Sequence, residues 1–460
     1  MDKANNKLIL YELNEVPVKL LNFYTTLKPN SNFNYLINSG KLKTTITNDI
    51  GELHPWSTWP TVHRGVNNNI HNIRFINQDL KCAKAWPPIW ETISNNKISI
   101  GIFGSLQSYP PIINKNVKFF LPDTFSPKED CFPESLNDFQ KFNLKIAGKN
   151  KALAKNFDLA DAINFIKLIF KRQINFKTFL EILKHLFGEF ISKKNTLRRS
   201  LIQPIIGFDI YLKYINKFNP QFSTFFTNHV AGMMHRYWID IFPISRIKEN
   251  KRSNFNKNSI IKSLDIADKQ LGKLINLANK KNYNLLILSS MGQDHKDWGE
   301  YVPELFIDDI SKLIENIGLN QKDYKILPAM QPDLCIKCKN KSSKKEFIKS
   351  VNKVKSLDGK ILFPIRYSNE GLNLNISIQK SIITANEKYV LINNSKIHID
   401  KLNIKIIKRD EGTGYHIKEG ILLHYGAEIS KHIEKYKDSE IDTTFIHNII
   451  LDFFDLKIHK

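Results

Sequence analysis

The stretch HPWSTWPTVHRG, residues 54–65, places three hydroxyls, two imidazoles and a guanidinium within twelve positions. Ser57 and Thr58 could cap a following helix, because a short hydroxyl side chain accepts hydrogen bonds from the first free amides of a helix. Arg64 could instead bind an anionic group through its planar guanidinium fork. Taken alone, the stretch favours the structural interpretation, so its chemistry has to be judged with the rest of the chain.

Other polar residues follow apolar runs that are typical of buried strands. These runs are KLILYEL at 7–13, ISIGIF at 98–103, STFFTNHV from 223 and NLLILSSMG from 284. Ligands of open α/β sheets bind at the carboxyl ends of the strands. The residues just beyond the runs, with one histidine near the C-terminus, are therefore candidate site residues: Asn14, Glu15, Asn228, His229, His235, Ser290, Gln293, Asp294, His295 and His416.

Helical stretches separate these strands, which predicts a mostly parallel central sheet with helices on both faces. Two segments depart from that α/β pattern. The basic, amphipathic segment at 141–205 predicts a helical insertion that packs on the core or docks on anionic lipid. Residues 339–405, with strand-like pieces such as KILFPIRY and LNLNISI, predict a small α+β insertion. The expected division is 1–140, 206–338 and 406–460 for the core, with 141–205 and 339–405 inserted.

Bulk properties narrow the function. The 460 residues carry a formal charge of +23, but no helix-turn-helix, RNP or zinc-finger pattern accompanies it, so we expect no specific nucleic-acid partner. Cys335 and Cys338 form a lone CxxC, without the second pair of a zinc knuckle. No apolar run is long enough to cross a bilayer and no signal peptide is evident. We therefore expect a cytoplasmic protein, with peripheral membrane contact through 141–200 as the alternative role of that segment.

Five pieces in order resemble the alkaline phosphatase superfamily, specifically its type I phosphodiesterase and nucleotide pyrophosphatase branch. They are YELNEVPVKLL, WSTWPTVHRGVNNNIHNI, IWETISNNKISIGIFGSLQSYPP, SIIKSLDIADKQLGKLI and GTGYHIKEGILLHYG. No piece is specific by itself, but their order is. The resemblance implies an alkaline phosphatase-like fold and places Thr58 at the nucleophile position, at the start of a helix whose amides suit a phosphate or sulfate.

The resemblance also implies two metal ions held by three Asp and three His, and this chain departs from that set. Asn14, Asn228 and Ser290 stand where the carboxylates are expected, and Met291 replaces a histidine. Only His416 keeps its expected context. Losing three carboxylates removes most of the charge that would offset two dications, so a two-metal site is not expected.

At most one divalent ion, zinc or manganese, remains as the cofactor that the resemblance implies. His235 and His416 would supply neutral nitrogen donors, with Asn228, Glu15 or Asp294 as a further ligand and His229 as a substitute histidine. The candidate site residues are then assigned by role. They are Thr58, His63 and Arg64 for catalysis, Asn14, Glu15 and Gln293 for the substrate, and Asn228, His235 and His416 for the metal.

The pieces YELNEVP, HPWSTWPTVHRG and MMHRYW also resemble a divergent group of the superfamily that is associated with bacterial surface-polysaccharide genes. This resemblance implies a phosphodiesterase-like or phosphotransferase-like enzyme acting on a phosphorylated or nucleotide-linked saccharide. Hydrolysis and transfer both stay open. The alternative is a non-catalytic protein of the same fold that binds a saccharide or phosphate ligand or a protein partner.

Overall fold

The computed structural model describes residues 6–148, 174–243, 253–295, 303–330, 333–368, 371–378, 388–408 and 414–456. The chain forms two compact units. The larger comprises Met1–Asn72, Ala83–Lys296 and Gly412–Lys460, and the smaller comprises Ile73–Cys82 and Asp297–Glu411. The smaller unit contains the whole of 339–405 and also takes in 297–338 and the short stretch at 73–82.

The strands of the described residues alternate with helices through the first half of the chain and cluster in the smaller unit. In chain order they are β1 (Leu8–Leu13), β2 (Leu42–Ile46), β3 (Ile100–Phe103), β4 (Val117–Leu121), β5 (Phe222–Thr227), β6 (Asn284–Leu288), β7 (Gly292–His295), β8 (Pro303–Ile307), β9 (Tyr324–Leu327), β10 (Leu334–Cys338), β11 (Val354–Lys355), β12 (Ile365–Ser368), β13 (Asn373–Ile376), β14 (Tyr389–Ile392), β15 (Ser395–His398), β16 (Ile404–Lys408), β17 (Gly414–Ile417), β18 (Glu419–Tyr425) and β19 (Glu440–Asp442).

The α-helices of the same residues range from one turn to more than seven turns. They are α1 (Val18–Leu27), α2 (Asn32–Asn38), α3 (Pro55–Arg64), α4 (Asn68–His71), α5 (Ile89–Asn95), α6 (Asn137–Gly148), α7 (Phe176–Ile191), α8 (Ile202–Phe218), α9 (His229–Ile241), α10 (Asn254–Lys281), α11 (Ile310–Asn316), α12 (Lys341–Val351), α13 (Ala427–Ile433) and α14 (Phe445–Phe453). None of them combines the length and the apolar character needed to cross a membrane.

The larger unit is built on an eight-stranded sheet in the order β19-β2-β18-β6-β1-β5-β3-β4. Only β18 runs antiparallel to its two neighbours, and every other pair is parallel. The predicted fold class, a mostly parallel sheet within an α/β architecture, is confirmed. All of the strands predicted at the apolar runs are present, because runs without polar interruption suit strands that are covered on both faces.

The central strand β1 has both faces buried. Ile9, Tyr11 and Leu13 belong to one apolar core, and Leu8 and Leu10 belong to a second core on the opposite face. This alternation follows from the two-residue period of a strand. One consequence concerns Glu12, which shares the face of Leu8 and Leu10 and is fully buried. A buried carboxylate requires a partner.

Most described residues of the predicted basic insertion at 141–205 are helical; they form the end of α6, α7, a 3₁₀ helix at Lys193–Leu201 and the start of α8. Residues 149–173 lie outside the described residues. In the smaller unit, the predicted strand-like pieces of 339–405 form β12, β13 and β14, and its Lys/Ser-rich start forms α12. These strands belong to a four-stranded sheet (β12-β13-β10-β9) and a three-stranded sheet (β11-β14-β15).

Candidate metal centre and surrounding site

The candidate site lies where β1 and β5 end together. Leu13 and Thr227 are register partners in this parallel pair, and the Asn14 amide continues the ladder by donating to the Thr227 carbonyl at 3.1 Å. Asn14 and Asn228, the residues that follow these two strands, are therefore neighbours. Asn14 Nδ2 donates to Asn228 Oδ1 at 2.7 Å. The expectation that polar residues after separate strands would meet at one edge holds for this pair.

Glu15 is the centre of a cluster with two histidines that are distant in sequence. Its Oε2 lies 3.0 Å from His235 Nε2 and 3.3 Å from His416 Nε2. One ligand atom from each of the three side chains falls within 4.8 Å of the other two. Glu15 also has φ of 60°, in the left-handed region that a residue with a side chain seldom adopts. Such an outlier is a reason to look for function.

Both histidines of the cluster are oriented by backbone carbonyls. His235 Nδ1 donates to the Gly414 carbonyl at 3.1 Å, and His416 Nδ1 donates to the Leu53 carbonyl at 2.6 Å. Without an ion, each Nε2 donates its proton toward Glu15 Oε2; when that proton is released, the proton kept on Nδ1 leaves the Nε2 lone pair directed at the cluster. This is the arrangement of a metal-ligating histidine, in which the second nitrogen sets the tautomer and the ring orientation.

Glu15 is further held by two amide side chains. Asn14 Nδ2 donates to Glu15 Oε1 at 2.7 Å, and Gln293 Nε2 donates to Glu15 Oε2. Gln293 reaches this oxygen because β7 pairs with β17 in a register that sets it opposite His416. Amide donors on both carboxylate oxygens favour the ionised form. Six of the nine predicted site residues, listed by position, thus belong to one hydrogen-bonded group: Asn14, Glu15, Asn228, His235, Gln293 and His416.

The electrostatics of the cluster follow from burial and from the charges it contains. Burial by itself would raise the pKa of Glu15, but the charges and hydrogen bonds of His416 and His235 hold that pKa well below its usual range. Burial likewise opposes the charged form of His416, yet the Glu15 carboxylate raises the pKa of that imidazole above its ordinary value. The carboxylate is therefore ionised at neutral pH.

The donor set fits one divalent cation. Two imidazole nitrogens and one carboxylate are ligands that zinc and manganese accept, and a single carboxylate offsets one dication better than two. The charged member of this donor set is Glu15, which the sequence analysis assigned to the substrate and also considered as a further ligand. Asn228, assigned to the metal, uses its side-chain oxygen to accept from Asn14. The alternative charged ligand, Asp294, pairs with Lys19 at 2.8 Å instead.

His229, the substitute histidine considered above, has structural contacts on both ring nitrogens. Its Nδ1 is 2.7 Å from the Thr227 hydroxyl, and its Nε2 is 2.9 Å from the Ser263 carbonyl. Burial lowers the pKa of His229 to about 4. These contacts account for a neutral imidazole inside the protein and leave no nitrogen directed at Glu15.

Thr58 lies in the first turn of α3, where the resemblance placed it. The alternative that Ser57 and Thr58 cap this helix is wrong, because His54 is the N-cap residue and no side chain accepts there. The amides of Ser57 and Thr58 both donate to the His54 carbonyl, at 2.9 and 3.0 Å. The Thr58 hydroxyl is fully buried and lies 2.7 Å from the Ser290 hydroxyl.

The sequence of α3 requires one repair to its backbone. Pro60 lies inside the helix and has no N–H to give to the carbonyl four residues earlier. That carbonyl belongs to Trp56, and it accepts instead from Gln107 Nε2 at 3.3 Å. Gly65 ends the helix in the left-handed conformation that suits a glycine after the last turn.

His63 and Arg64 have partners of their own, at the far end of α3. His63 Nε2 is 2.6 Å from Glu12 Oε1, and both side chains are buried. Arg64 donates from one guanidinium nitrogen to the carbonyls of Ala83, at 3.2 Å, and Trp86. These contacts explain both residues structurally, and none of them leads to Glu15. Their catalytic assignment stays a prediction.

Sequence reasoning missed three residues that shape the site. Trp59 Nε1 donates to Asn14 Oδ1 at 2.7 Å and so connects α3 to the Glu15 network. Glu12 fixes His63, and its position inside an apolar strand was a usable signal. His54 stacks on Trp56 and lies edge-on to His416, with ring centroids 5.7 Å apart. No sequence signal distinguishes His54 from an ordinary N-cap residue.

No protein-family model and no curated protein sequence matches the chain. Solved structures similar to it include murine ectonucleotide pyrophosphatase/phosphodiesterase 5, with 12% identity, 99% of this chain and 96% of that one covered, and a TM-score of 0.39. Phosphonoacetate hydrolase from Sinorhizobium meliloti 1021 in complex with phosphonoformate is 9% identical, with 98% of this chain and 96% of that one covered and a TM-score of 0.43. Alkaline phosphatase from the Antarctic bacterium TAB5 is 10% identical, with 98% of this chain and 99% of that one covered and a TM-score of 0.40.

These proteins are members of the alkaline phosphatase superfamily. The chain resembles that superfamily. At these identities and with TM-scores below 0.5, the likeness assigns no activity and no residue role to the chain. What the chain does has to be argued from its own residues, at the sheet edge where Glu15, His235 and His416 converge.

Proposed function

We propose that the chain is an enzyme that cleaves or transfers a phosphoester group with one divalent cation held by Glu15, His235 and His416. The observation that carries this proposal is the convergence of the three side chains, with both imidazoles oriented by backbone carbonyls. A buried carboxylate and two imidazoles could form a purely structural ion pair. The access of one ring to solvent argues for a binding role, because the His235 side chain is 39% exposed.

The surrounding residues would prepare this centre. Asn14 and Gln293 donate to opposite oxygens of Glu15 and so restrict the rotation of its carboxylate. The carbonyls of Leu53 and Gly414 keep each Nε2 directed inward. When bound, a divalent cation would polarise a phosphoryl oxygen and offset charge that develops on it. Fixed ligands of this kind avoid reorganisation during the reaction.

Thr58 is the proposed nucleophile, and Ser290 is the group that orients its hydroxyl at 2.7 Å. Thr58→Ala removes the oxygen while keeping a small side chain in the first turn of α3. We expect it to abolish turnover of phosphodiester and phosphosugar substrates with an unchanged metal content; the melting temperature should fall only by a few degrees, because the buried Ser290 hydroxyl loses its partner. Thr58→Ser is the matched control, because it retains the hydroxyl. Full activity in Thr58→Ala would remove Thr58 from the mechanism.

The proposed substrate is a phosphorylated or nucleotide-linked saccharide, and the support for it is the sequence resemblance of YELNEVP, HPWSTWPTVHRG and MMHRYW. A comparison of sugar phosphates, nucleotide sugars and simple nucleotides by product release tests this choice. Preference for simple nucleotides over every saccharide would contradict it. Addition of an acceptor saccharide in the same assay distinguishes transfer from hydrolysis.

A second candidate function is ligand binding without catalysis. It is favoured by the burial of Thr58, whose hydroxyl is already paired with Ser290, and by the pairing of the amides of Asn14 and Asn228 with each other. This candidate predicts that a saccharide phosphate raises the melting temperature without being converted, whatever divalent ion is supplied. Any turnover that Thr58→Ala abolishes would exclude it.

A further inference from the structure

Helix α7, Phe176–Ile191, exposes a continuous apolar stripe along one side. Its members follow one another at intervals of four, three, four, three and one residues, which keeps them on one face of an α-helix. Phe190 is 89% exposed and Phe187 is 65% exposed. The exposed apolar members of the stripe are Phe176, Leu180, Leu183, Phe187, Phe190 and Ile191.

The opposite side of α7 anchors the helix to the larger unit. Ile182 is buried in the core beneath it, and Thr178, four residues earlier on the same side, is also buried. Glu189 is buried on that side as well, and both of its oxygens accept from Arg199. The helix is therefore held in place without the stripe, and the stripe is available for another surface.

Charged side chains beside the stripe indicate what kind of surface α7 could bind. Lys177 and Lys184 are exposed and seven residues apart, so they line one border of the stripe. Lys193 and Lys194 follow the end of the helix and are exposed too. Glu181, an acidic side chain of the same helix, lies 3.8 Å from Lys269.

We propose that α7 docks on an anionic lipid bilayer, with its stripe in the headgroup region and its lysines on lipid phosphates. A helix that pairs an apolar face with flanking cations lies in the plane of the membrane interface. Sixteen residues extend for about 24 Å along the surface. An anionic bilayer offers the apolar layer and the negative charge side by side, which matches the stripe and its lysine border. This proposal does not depend on the chemistry at Glu15.

Sedimentation with vesicles tests the proposal. We expect the full chain to bind vesicles of phosphatidylcholine mixed with phosphatidylglycerol, to bind phosphatidylcholine alone weakly, and to be released as salt screens the charges. The double variant Phe187→Ser and Phe190→Ser should bind roughly tenfold less tightly or worse, because two exposed rings no longer enter the interface. Lys177→Gln with Lys184→Gln should weaken binding and flatten its dependence on salt.

The control variant is Ile113→Ser, since Ile113 is 69% exposed at a distant position in the sequence. It should bind vesicles like the unaltered chain. Circular dichroism and melting should be the same for all variants, because the altered side chains are exposed. Equal vesicle binding by the phenylalanine variant, or no binding to either vesicle, would overturn the proposal. Self-association without lipid that the phenylalanine variant abolishes would assign the stripe to a second copy of the chain and would overturn it too.

Discussion

Two buried glutamates, Glu12 in β1 and Glu15 shortly after the end of β1, each contact histidine. Their surroundings differ. Glu12 pairs with His63 in a sealed contact, in which Glu12 Oε2 and His63 Nδ1 have no partner among the described residues. Glu15 meets two histidines whose second nitrogens donate to carbonyls, and one of those rings reaches solvent. Residue type is the same at both places, so access and outer contacts separate a structural pair from a candidate metal centre.

Exchanging each carboxylate for an amide of the same size tests whether the two glutamates have different roles. Glu15→Gln should lower the affinity for a divalent ion about a hundredfold or more, because the charged ligand is lost while the histidines remain. Any phosphoesterase activity should fall with it. Isothermal titration with zinc and with manganese measures the effect. Unchanged affinity for both ions would show that Glu15 is not a ligand.

Glu12→Gln should give the opposite pattern. Removing one member of a buried, paired set leaves the other without compensation and costs about 3 kcal/mol of unfolding free energy. Metal affinity should stay within about twofold of that of the unaltered chain, since Glu12 is connected to Asn14 only indirectly, through the stacking of His63 on Trp59. Urea unfolding and metal titration of the same preparation measure both quantities. A loss of metal without a loss of stability would place the Glu12–His63 pair in the metal site.

His424 is another buried histidine, and its hydrogen bond is to a hydroxyl and not to a carboxylate. Its Nδ1 lies 2.9 Å from the Ser430 hydroxyl, and burial lowers its pKa from 6.5 to about 4. The unfolded chain binds this proton more tightly, so the stabilisation is complete above pH 6.5 and is lost as the pH falls toward 4. At pH ~5 the loss is about 2 kcal/mol.

Melting temperatures at pH ~7 and pH ~5 check this expectation. The unaltered chain should lose more stability on acidification than His424→Gln, which cannot take up the proton. Equal losses in the two proteins would mean that His424 titrates in the same range in both states.

The smallest expected effect is that of Asp294→Asn. Asp294 contacts Lys19 and accepts from Trp238 Nε1 at 3.1 Å, and a third of its side chain is exposed. We expect less than about 1 kcal/mol of lost stability and an unchanged metal content. Loss of the ion in this variant would make Asp294 the charged ligand in place of Glu15.

The sequence was sufficient to predict the strands of the central sheet, but not which side chains contact one another in the candidate site. Apolar runs such as NLLIL predict buried strands because both faces of a parallel sheet are covered, and β6 is present as expected. The meeting of Asn14 with Asn228 followed from strand ends sharing one edge. That Glu15, and not Asn228, joins His235 and His416 in the candidate metal centre could not be predicted in this way. It depends on the left-handed turn at Glu15 and on the register of β7 with β17.

The sequence also could not predict the hydrogen-bond partners of His63 and Arg64. Both follow Thr58 within one helix, which suggested a shared role; their hydrogen bonds lie away from Glu15, and their catalytic assignment stays a prediction. His63 is carried to Glu12, two residues before Asn14, while Trp59, one turn earlier, reaches Asn14 itself. Glu12 was the available warning, because a carboxylate inside LILYEL must find a partner within the protein.

The most direct test of the account is the metal content of the purified chain. Elemental analysis after dialysis against zinc or manganese should find one ion per chain in the unaltered protein and in Glu12→Gln, and none in the double variant His235→Ala with His416→Ala. Melting curves should confirm that the double variant is folded. Two ions per chain, or one ion that survives the loss of both histidines, would contradict a single centre at Glu15, His235 and His416.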